Sequence, residues 1–322
     1  MLAVSVIIAT RNRADALETI SLPSLAKQDF KDFEVIIWDA SDDDKPKNVV
    51  EKFTQSHPDM VIRYFKAPRV GSASQRNDAV KVAKGDIIFF IDDDSELSTD
   101  AIKVVVKTLD NTDYSGCEVP VQGLKEKLKR SKLSFYTYAI ASIVFRLGGG
   151  SNRRYFRLSG YATNENRFMK KIFKPKWEDP EWLVGCSMAY KKEVFREHSF
   201  DEELQRFGGY ALGEDSSFSY SLHVSEYKLC LCKEGYVIHH HYESGRAKPA
   251  YMYAMVIYNY HLIWKKYIYP RNKLSIFPRI WAVFGYLIVF LFKSTFSRDV
   301  NPIKGWYWGV KSIFLYKHDK NI

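Results

Sequence analysis

Cysteine is scarce in this sequence of 322 residues, and its spacing excludes some classes of protein. The four cysteines are Cys117, Cys186, Cys230 and Cys232, and no two of them have the C-x-x-C spacing typical of zinc-binding modules. A chain of this length also buries enough apolar surface to fold without a disulfide framework. We therefore expect neither bound zinc nor a disulfide framework, and we predict a reducing compartment, the cytoplasm.

The N-terminal residues have little that indicates a signal peptide, and the apolar run near the C-terminus is shorter than a spanning helix usually needs. The N-terminal residues MLAVSVIIATRNR carry no basic n-region and no small-residue cleavage site, so we expect a first strand there. The apolar run RIWAVFGYLIVFLF, 279–292, holds thirteen uninterrupted uncharged residues after Arg279. A spanning helix needs about 20 apolar residues, and a shorter run is more often buried or interfacial.

That run and its flanks carry residue types that lie at the headgroup level of membranes. They are Trp281, Tyr286, Lys293, Arg298, Trp306, Tyr307 and Trp308. One interpretation is a monotopic segment that docks on a membrane surface; the other is a hydrophobic helix that covers the sheet or forms a dimer interface. The basic and aromatic flanks favour docking, so we expect a peripheral protein at the cytoplasmic face of a membrane. The oligomeric state stays open.

Acidic residues are fewer than basic ones, which gives a net charge of +10 and a pI near 9.2. Hydrophobic residues make up 46% of the sequence, as in ordinary globular proteins. A basic surface attracts phosphates, nucleic acid or an acidic membrane leaflet. The basic residues form no recognisable nucleic-acid-binding motif, and acidic clusters at strand ends would repel a phosphate backbone. We therefore expect no nucleic-acid partner.

Strand and helix patterns alternate over the first hundred residues. The predicted strands are 4–10, 33–41, 60–67 and 87–91. Such alternation predicts βαβ units and an α/β fold with a Rossmann-like, mostly parallel sheet flanked by helices. Ligands of such sheets bind beyond the carboxyl ends of the strands, where Thr10, Asp39 and Asp94 lie.

The segment GDIIFFIDDDSEL, 85–97, joins an apolar strand directly to Asp92, Asp93 and Asp94. Adjacent like charges repel, and a divalent cation cancels that repulsion. Oxygen ligands of this kind suit Mg²⁺ or Mn²⁺. In an extended segment Asp92 and Asp94 point to one side and Asp93 to the other. We expect Asp94 to bind the metal and Asp92 or Asp93 to contact sugar hydroxyls; the alternative is an acidic turn that caps the next helix.

Several separated motifs together resemble one enzyme family. SVIIATRNR, DFEVIIWDAS and GSASQRNDAVKVAKGDIIFFIDDDSEL are similar to the opening of the family 2 inverting glycosyltransferases with the GT-A fold, and GCSMAYKKEVF and FDEELQRFGGYALGEDSSFSYSL to its second half. The resemblance implies a GT-A catalytic domain over 1–245, with a nucleotide-sugar half near 1–112 and an acceptor half near 113–245. A helical, aromatic-rich C-terminal extension that could associate with a membrane would follow over 246–322.

The resemblance also implies roles for individual residues. It predicts donor contacts from a set of polar residues: Thr10, Arg11, Asp39, Arg76, Asn77 and Asp92. Asp39 would accept a hydrogen bond from the base, although the family's second strand commonly ends in two acids and Gly-Ser instead of DAS. Asp94 would bind the metal, and Asp215 would be the general base. Without the rest of the pattern, the GED sequence that contains Asp215 would indicate a simple helix cap.

Three consecutive histidines end a strand pattern that begins near residue 229. Alternation places His239 and His241 on one face of the strand and His240 on the other. The resemblance implies that a histidine here completes the metal site, and the VIH position matches best at His239. The alternative is a hydrogen-bonded histidine without a metal role.

Together these observations predict an inverting, Mn²⁺- or Mg²⁺-dependent glycosyltransferase that moves a sugar from a nucleotide-diphosphate donor to a saccharide hydroxyl. The acceptor could be lipid-linked, in glycan or polysaccharide assembly. Candidate acceptor contacts are Glu214 and three arginines of the Gly-rich segment 148–168: Arg153, Arg154 and Arg157. The alternatives are a basic nucleic-acid-binding protein and a nucleotidyltransferase, although the segment TRNRAD lacks the glycine and lysine of a nucleotidyltransferase phosphate loop.

Overall fold

The structure is a computed structural model that describes residues 3–110, 112–122, 141, 144–145, 147, 149–151, 154–165, 180–241 and 248–315. The chain divides into two compact units. Unit 1 comprises Met1–Leu128, Glu178–Glu202 and Glu214–Arg246, and unit 2 comprises Lys129–Trp177, Glu203–Gly213 and Ala247–Ile322. Unit 2 thus contains nearly all of the extension outlined from the sequence, together with two earlier segments. Arg153 and the tail beyond residue 315 lie outside the described residues.

The strands of the described residues form three sheets. They are β1 (Val4–Thr10), β2 (Phe33–Asp39), β3 (Val61–Lys66), β4 (Ile87–Ile91), β5 (Ser95–Leu97), β6 (Tyr114–Glu118), β7 (Val121–Gln122), β8 (Gly149–Ser151), β9 (Thr163–Glu165), β10 (Ser187–Lys191), β11 (Lys228–Leu231) and β12 (Val237–His239). The main sheet has the order β11-β6-β10-β4-β1-β2-β3, the second has the order β5-β12-β7, and β8 pairs with β9.

The helices of the described residues are α1 (Ala14–Ala16, continued by the π-helical turn Leu17–Ser21 and by Leu22–Ala26), α2 (Lys45–Ser56), α3 (Ser72–Val82), α4 (Ala101–Asp110), α5 (Glu214–His223), α6 (Pro249–Ile263, continued by the π-helical turn Trp264–Ile268), α7 (Ile276–Ser297) and α8 (Asn301–Leu315). Within the described residues, helices α1 to α5 lie between strands along the chain, and α6 to α8 follow the last strand. Short 3₁₀ turns cover Lys192–Arg196, Glu202–Gln205 and Lys273–Ser275.

The main sheet is mostly parallel, as the sequence predicts. The pairs β1–β2, β1–β4, β2–β3 and β6–β11 are parallel, and only β10 runs antiparallel to its neighbours β4 and β6. Every residue of β2 and β4 is buried, which explains their continuous apolar sequences. Leu17, Leu22 and Leu25 of α1 are fully buried in the same core cluster as Val6 and Ile8 of β1. The α/β fold with helices on the sheet is therefore confirmed.

Strand register brings distant segments of unit 1 to the carboxyl edge of the main sheet. Thr10 at the end of β1 lies beside Asp39 at the end of β2, and Ile91, the last residue of β4, lies opposite Ser187 of β10. In the second sheet His239 pairs with Ser95, the residue after Asp94. The pairings of β10 with β4 and of β12 with β5 each join segments about a hundred residues or more apart in sequence, and both lie next to the acidic segment 92–94.

Unit 2 is helical and rich in aromatic residues, as predicted for the C-terminal region. Its buried cluster contains Tyr161, Ile257, Tyr286 and Phe290. Gly309 of α8 allows a close approach to α6, because a Cβ atom there would lie 2.6 Å from the Cβ of Ile257. This close packing of small and aromatic residues holds α6 and α8 together.

Helix α7 has one buried side and one exposed apolar side. Arg279 on the buried side donates hydrogen bonds to the carbonyls of Ser159 and Ile257, at 3.1 and 2.8 Å. Within the described residues, Lys273–Ser297 is the one helical stretch long and apolar enough to cross a membrane by length and composition, and 33% of its apolar window is buried in the protein. The other side exposes large apolar side chains: Phe277, Ile280, Trp281, Phe284, Leu291, Phe292 and Phe296.

Candidate functional site

The acidic segment 92–94 after β4 is the centre of the candidate site, which lies wholly within unit 1. His239 Nε2 lies 3.0 Å from Asp94 Oδ1 and 3.6 Å from Asp92 Oδ2. Asp92 and Asp94 thus contact the same histidine, although the acids lie in a turn, closed by a hydrogen bond from the Ser95 N–H to the Asp92 carbonyl at 3.1 Å, and not in an extended strand. Burial lowers the pKa of His239, but the hydrogen bond to Asp94 and the charges of both aspartates outweigh burial and raise it above its usual value.

Asp93 points the other way and ties the ends of two strands together. It accepts hydrogen bonds from Thr10 Oγ1 at 2.7 Å and from Arg13 Nη1 at 2.9 Å. Burial raises the pKa of Asp93 to about 6, although Arg13 opposes that shift. The carboxylate of Asp93 and the hydroxyl of Thr10 are therefore engaged with each other, and their predicted donor contacts stay predictions.

Arg13 is a member of the site that the sequence analysis did not select. Besides Asp93, its guanidinium lies 3.6 Å from Asp94 Oδ2. It is one of two arginines in the loop TRNR, and sequence alone does not show which of the two turns toward the acids. The other, Arg11, lies 3.5 Å from the exposed Asp42.

Cys186 is a second residue that the sequence analysis did not select. It precedes β10, whose register with β4 places it near Asp92. One ligand atom each from Asp92, Cys186 and His239 lie within 4.8 Å of one another. Burial, followed by the charge of Asp92, raises the pKa of the Cys186 thiol well above its usual value.

The other two histidines have different surroundings. His240 Nε2 lies 2.8 Å from Glu96 Oε2, an exposed contact on the opposite side of β12. The ring centroid of His241 lies 4.0 Å from that of His239. Of the three, His239 is the one in contact with the carboxylates of Asp92 and Asp94.

The buried guanidinium of Arg76 joins the acidic segment to helix α5. Its Nη1 contacts Glu214 Oε1, and its Nη2 lies 3.1 Å from Asp92 Oδ1 and 3.4 Å from the carbonyl of Gly185. Burial would lower the pKa of Arg76, but the charges of Glu214 and Asp92 raise it, so the group stays cationic. Burial raises the pKa of Glu214 to about 7, and the contacts with Arg76 and the Ser72 hydroxyl oppose this shift.

Asp215 follows Glu214 at the N-terminus of α5 and is oriented by backbone groups. Its carboxylate accepts hydrogen bonds from the N–H of Gly185 at 2.9 Å and of Ser216 at 2.7 Å. A Cβ atom on Gly185 would come within 3.2 Å of Asp215 Oδ2, so glycine permits this approach. Burial raises the pKa of Asp215 despite both hydrogen bonds, which makes the carboxylate a stronger base than an exposed one.

Asp39 is engaged with side chains of its own unit. It accepts hydrogen bonds from the Ser41 N–H at 2.8 Å and from the Tyr64 hydroxyl at 2.7 Å, and Lys66 Nζ lies 3.5 Å away. The side chain is fully buried. These contacts fix the end of β2, and the predicted hydrogen bond to a base stays a prediction.

Asn77 and the two described arginines of the segment 148–168 have contacts of their own. Asn77 exchanges hydrogen bonds with the backbone N–H and carbonyl of Phe200, at 2.8 and 2.9 Å, which anchors the loop before α5. Arg154 and Arg157 belong to unit 2, where the Arg157 guanidinium lies 5.8 Å from the Tyr155 ring centroid. Their predicted acceptor contacts, and that of Glu214, stay predictions.

The donor set of the acidic segment fits a divalent cation. The site contains two guanidinium groups, those of Arg13 and Arg76, and more than twice as many carboxyl groups. The five carboxyl groups are those of Asp92, Asp93, Asp94, Glu214 and Asp215. This excess of acids favours an additional cation. Carboxylate oxygens and an imidazole nitrogen are ligands that Mn²⁺ accepts, so Asp92, Asp94 and His239 could hold it.

Comparison with known proteins gives a family match over most of unit 1. The family model "Glycosyl transferase family 2" matches residues 5–199. A Campylobacter jejuni GalNAc(5)-diNAcBac-PP-undecaprenol beta-1,3-glucosyltransferase is 34% identical over 105 residues, covering 32% of this chain and 33% of that protein. The Staphylococcus aureus poly(ribitol-phosphate) beta-N-acetylglucosaminyltransferase TarS is 31% identical over 112 residues, 34% of this chain and 19% of TarS. The matches thus span a third or less of these relatives.

A solved structure supports the same fold over almost the whole chain. The mannosyltransferase PcManGT from Pyrobaculum calidifontis, in complex with GDP-Man and Mn²⁺, superposes with a TM-score of 0.57 at 15% identity. The similarity covers 99% of this chain and 88% of that protein. At this identity the comparison supports the GT-A fold and no more.

Replacement of Arg76 tests the role of its buried charge in stability. We expect Arg76→Met to lower the free energy of unfolding by about 3–5 kcal/mol, because it leaves the buried carboxylate of Glu214 and the partly exposed carboxylate of Asp92 without their cation. Arg69→Met is the matched control, because Arg69 is half exposed and pairs with Glu202, so its loss should cost at most about 1 kcal/mol. Urea unfolding at neutral pH measures both, and equal losses would contradict the bridging role of Arg76.

Proposed function

Because this chain belongs to glycosyl transferase family 2, we propose that it moves a sugar from a nucleoside-diphosphate donor to a hydroxyl group of a saccharide acceptor, with inversion at the anomeric carbon. The observation that carries this proposal is the pair of acidic elements in unit 1. Asp92 and Asp94 meet His239 at the end of β4, while Asp215 is held separately at the start of α5. Two acidic groups with different surroundings suit two different tasks.

The first task is binding of the donor's diphosphate. Asp92, Asp94 and His239 would hold a divalent cation, Mn²⁺ or Mg²⁺, which when bound neutralises charge on the diphosphate leaving group. Arg13 contacts Asp93 and Asp94 and adds positive charge at the same edge of the sheet. In this arrangement Arg76 keeps Asp92 oriented, because its Nη2 donates to Asp92 Oδ1 at 3.1 Å.

The second task is removal of the acceptor's proton. We assign it to Asp215: its carboxylate takes the proton of the acceptor hydroxyl while that oxygen bonds to the anomeric carbon. The bond from this carbon to the diphosphate oxygen breaks at the same time on the opposite face, which gives inversion. Two backbone N–H groups fix the carboxylate, and the raised pKa of Asp215 increases its basicity.

The remaining assignments concern the ends of the donor. We propose that Thr10, Arg11, Asp39 and Asn77 border the nucleotide side of the site, some of them through the loops that they fix. Asn12 links two of these loops, since it accepts a hydrogen bond from the Asp42 N–H and donates from its own N–H to Ser41 Oγ. The acceptor is a saccharide, for which Glu214, Arg153, Arg154 and Arg157 are candidate contacts.

A lipid-linked acceptor is supported by two observations. The Campylobacter jejuni relative is named for a PP-undecaprenol-linked glycan. Helix α7 presents the exposed apolar side described above, and residues 248–315 carry ten lysines and arginines against a single acid, Asp299. Apolar side chains flanked by cations are typical of segments that dock on anionic membranes. We therefore propose peripheral docking of unit 2 on the cytoplasmic face of a membrane.

Replacement of Asp215 by asparagine tests the catalytic assignment. We expect Asp215→Asn to lower the transfer rate by about 10²- to 10⁴-fold, because the amide cannot accept the hydroxyl proton, while donor binding is retained. The assay measures nucleoside diphosphate released from a panel of donors with Mn²⁺, and Asp113→Asn, an exposed acid paired with Lys228, is the control. Near-normal turnover of Asp215→Asn, or a product that keeps the donor's anomeric configuration by NMR, would overturn the proposal.

Flotation with liposomes tests the docking surface. The wild-type chain should float with vesicles that contain anionic lipid, and Phe277→Ser/Ile280→Ser/Phe284→Ser should stay in the soluble fraction because three exposed apolar anchors are lost. Val61→Ser removes an exposed apolar side chain from the edge strand β3 and should leave flotation unchanged. Docking is wrong if the wild-type chain stays soluble, or if the triple variant floats as well as the wild type.

A further inference from the structure

Cys186 places a thiol beside two of the groups assigned above to the cation. Its chain position is fixed by the antiparallel pairing of β10 with β4, in which Ser187 lies opposite Ile91. The ligand atoms of Cys186, Asp92 and His239 lie within 4.8 Å of one another. Cys186 is almost completely buried, whereas Asp92 is a third exposed, so the cluster opens to solvent on the side of Asp92.

A sulfur ligand changes which metal ions the cluster prefers. Mg²⁺ and Mn²⁺ favour oxygen ligands, whereas a thiolate favours soft or borderline ions such as Zn²⁺ and Cd²⁺. Carboxylate, imidazole and thiolate together form a donor set that zinc uses in proteins. Asp92, Asp94 and His239 alone would favour Zn²⁺ over Mn²⁺ only by the general affinity order of divalent ions, and they lack the sulfur that gives Zn²⁺ and Cd²⁺ an additional advantage.

We propose that Cys186 makes this cluster a binding site for thiophilic divalent cations, Zn²⁺ or Cd²⁺, held by Cys186, Asp92 and His239. The inference rests on the proposed function in one respect: Asp92 and His239 are also the proposed ligands of the Mn²⁺ or Mg²⁺ ion that binds the donor's diphosphate. Zn²⁺ therefore competes with Mn²⁺ for two of the same ligands and inhibits transfer. On binding, a metal–sulfur bond replaces the S–H bond and the proton passes to solvent, without oxidation or reduction.

The other three cysteines provide the matched controls. Cys117, Cys230 and Cys232 are buried at β6 and β11. The thiols of Cys117 and Cys232 interact with each other, and Cys232 Sγ lies 3.6 Å from Thr108 Oγ1. Among the described residues, the cluster of potential metal ligands that includes a thiol contains Cys186 and none of these three. A thiol signal from Cys232 would therefore report a different site.

The test is a titration of the chelator-treated full chain with Cd²⁺, followed by the ultraviolet thiolate-to-cadmium charge-transfer band. We expect one equivalent of Cd²⁺ to produce the band in the wild-type chain and in Cys232→Ser, and no band in Cys186→Ser or Cys186→Ala. Calorimetry with Zn²⁺ should show an affinity loss of at least about 100-fold in both Cys186 variants, more than is typical for loss of a group that only supports a ligand. Affinity for Mn²⁺ should change by less than about threefold, because Mn²⁺ gains little from sulfur.

The result that overturns the inference is a wild-type chain without the band, or a band that persists in Cys186→Ser and disappears in Cys232→Ser. Circular dichroism confirms that each variant is folded. Cys186 is replaced by both serine and alanine, so that the test still stands if one of the two variants does not fold. The titration contains no donor or acceptor, so its failure leaves the Asp215 experiment unaffected. Conversely, an inactive wild-type chain that shows the band would reject the proposed function and retain the site.

Discussion

The arrangement of the site depends on one buried guanidinium group. Arg76 lies between the acidic segment after β4 and the start of α5, and it contacts Asp92 and Glu214 directly. Without this cation, the carboxylates of two elements would be buried side by side, and their repulsion and desolvation would separate them. Helix α3 carries Arg76 and therefore sets the position of α5 relative to the strand ends. The orientation of Asp215, one residue after Glu214, follows from the same contact.

The charges of the site are balanced only in part within the chain. Arg13 and Arg76 offset some of the five carboxyl groups, and burial raises the pKa of Asp93 and Glu214 toward neutrality. The remaining negative charge lies where Asp92, Asp94 and His239 converge. A divalent cation and the diphosphate of a nucleotide sugar complete such a balance together, since the cation offsets the carboxylates and the diphosphate binds the cation. The electrostatics thus support the proposed nucleotide-sugar donor.

The sequence predicted the main sheet because its strands follow short periodic patterns. The buried runs of β1, β2 and β4 are continuous apolar segments. Asp92 and Asp94 contact His239 while Asp93 contacts Thr10 and Arg13, but these acids lie in a turn, so strand alternation is not the reason for their separation. Sequence patterns did not identify Arg13 or Cys186. Arg13 reaches the site through the turn of its loop, and Cys186 reaches it through the pairing of two strands that are distant in sequence. Asn77 shows the same limit: the sequence does not reveal that its amide is bonded to Phe200, more than a hundred residues away.

The most direct test of the central claim is to locate a metal ion in crystals of the chain. Crystals grown with Mn²⁺ and a nucleoside diphosphate would be measured for anomalous scattering. The account predicts a manganese peak within about 2.4 Å of an Asp94 carboxylate oxygen and of His239 Nε2, with the diphosphate bound to the same ion. Nucleotide bound at the strand ends with no manganese peak between Asp94 and His239, or a peak elsewhere in the chain, would contradict it.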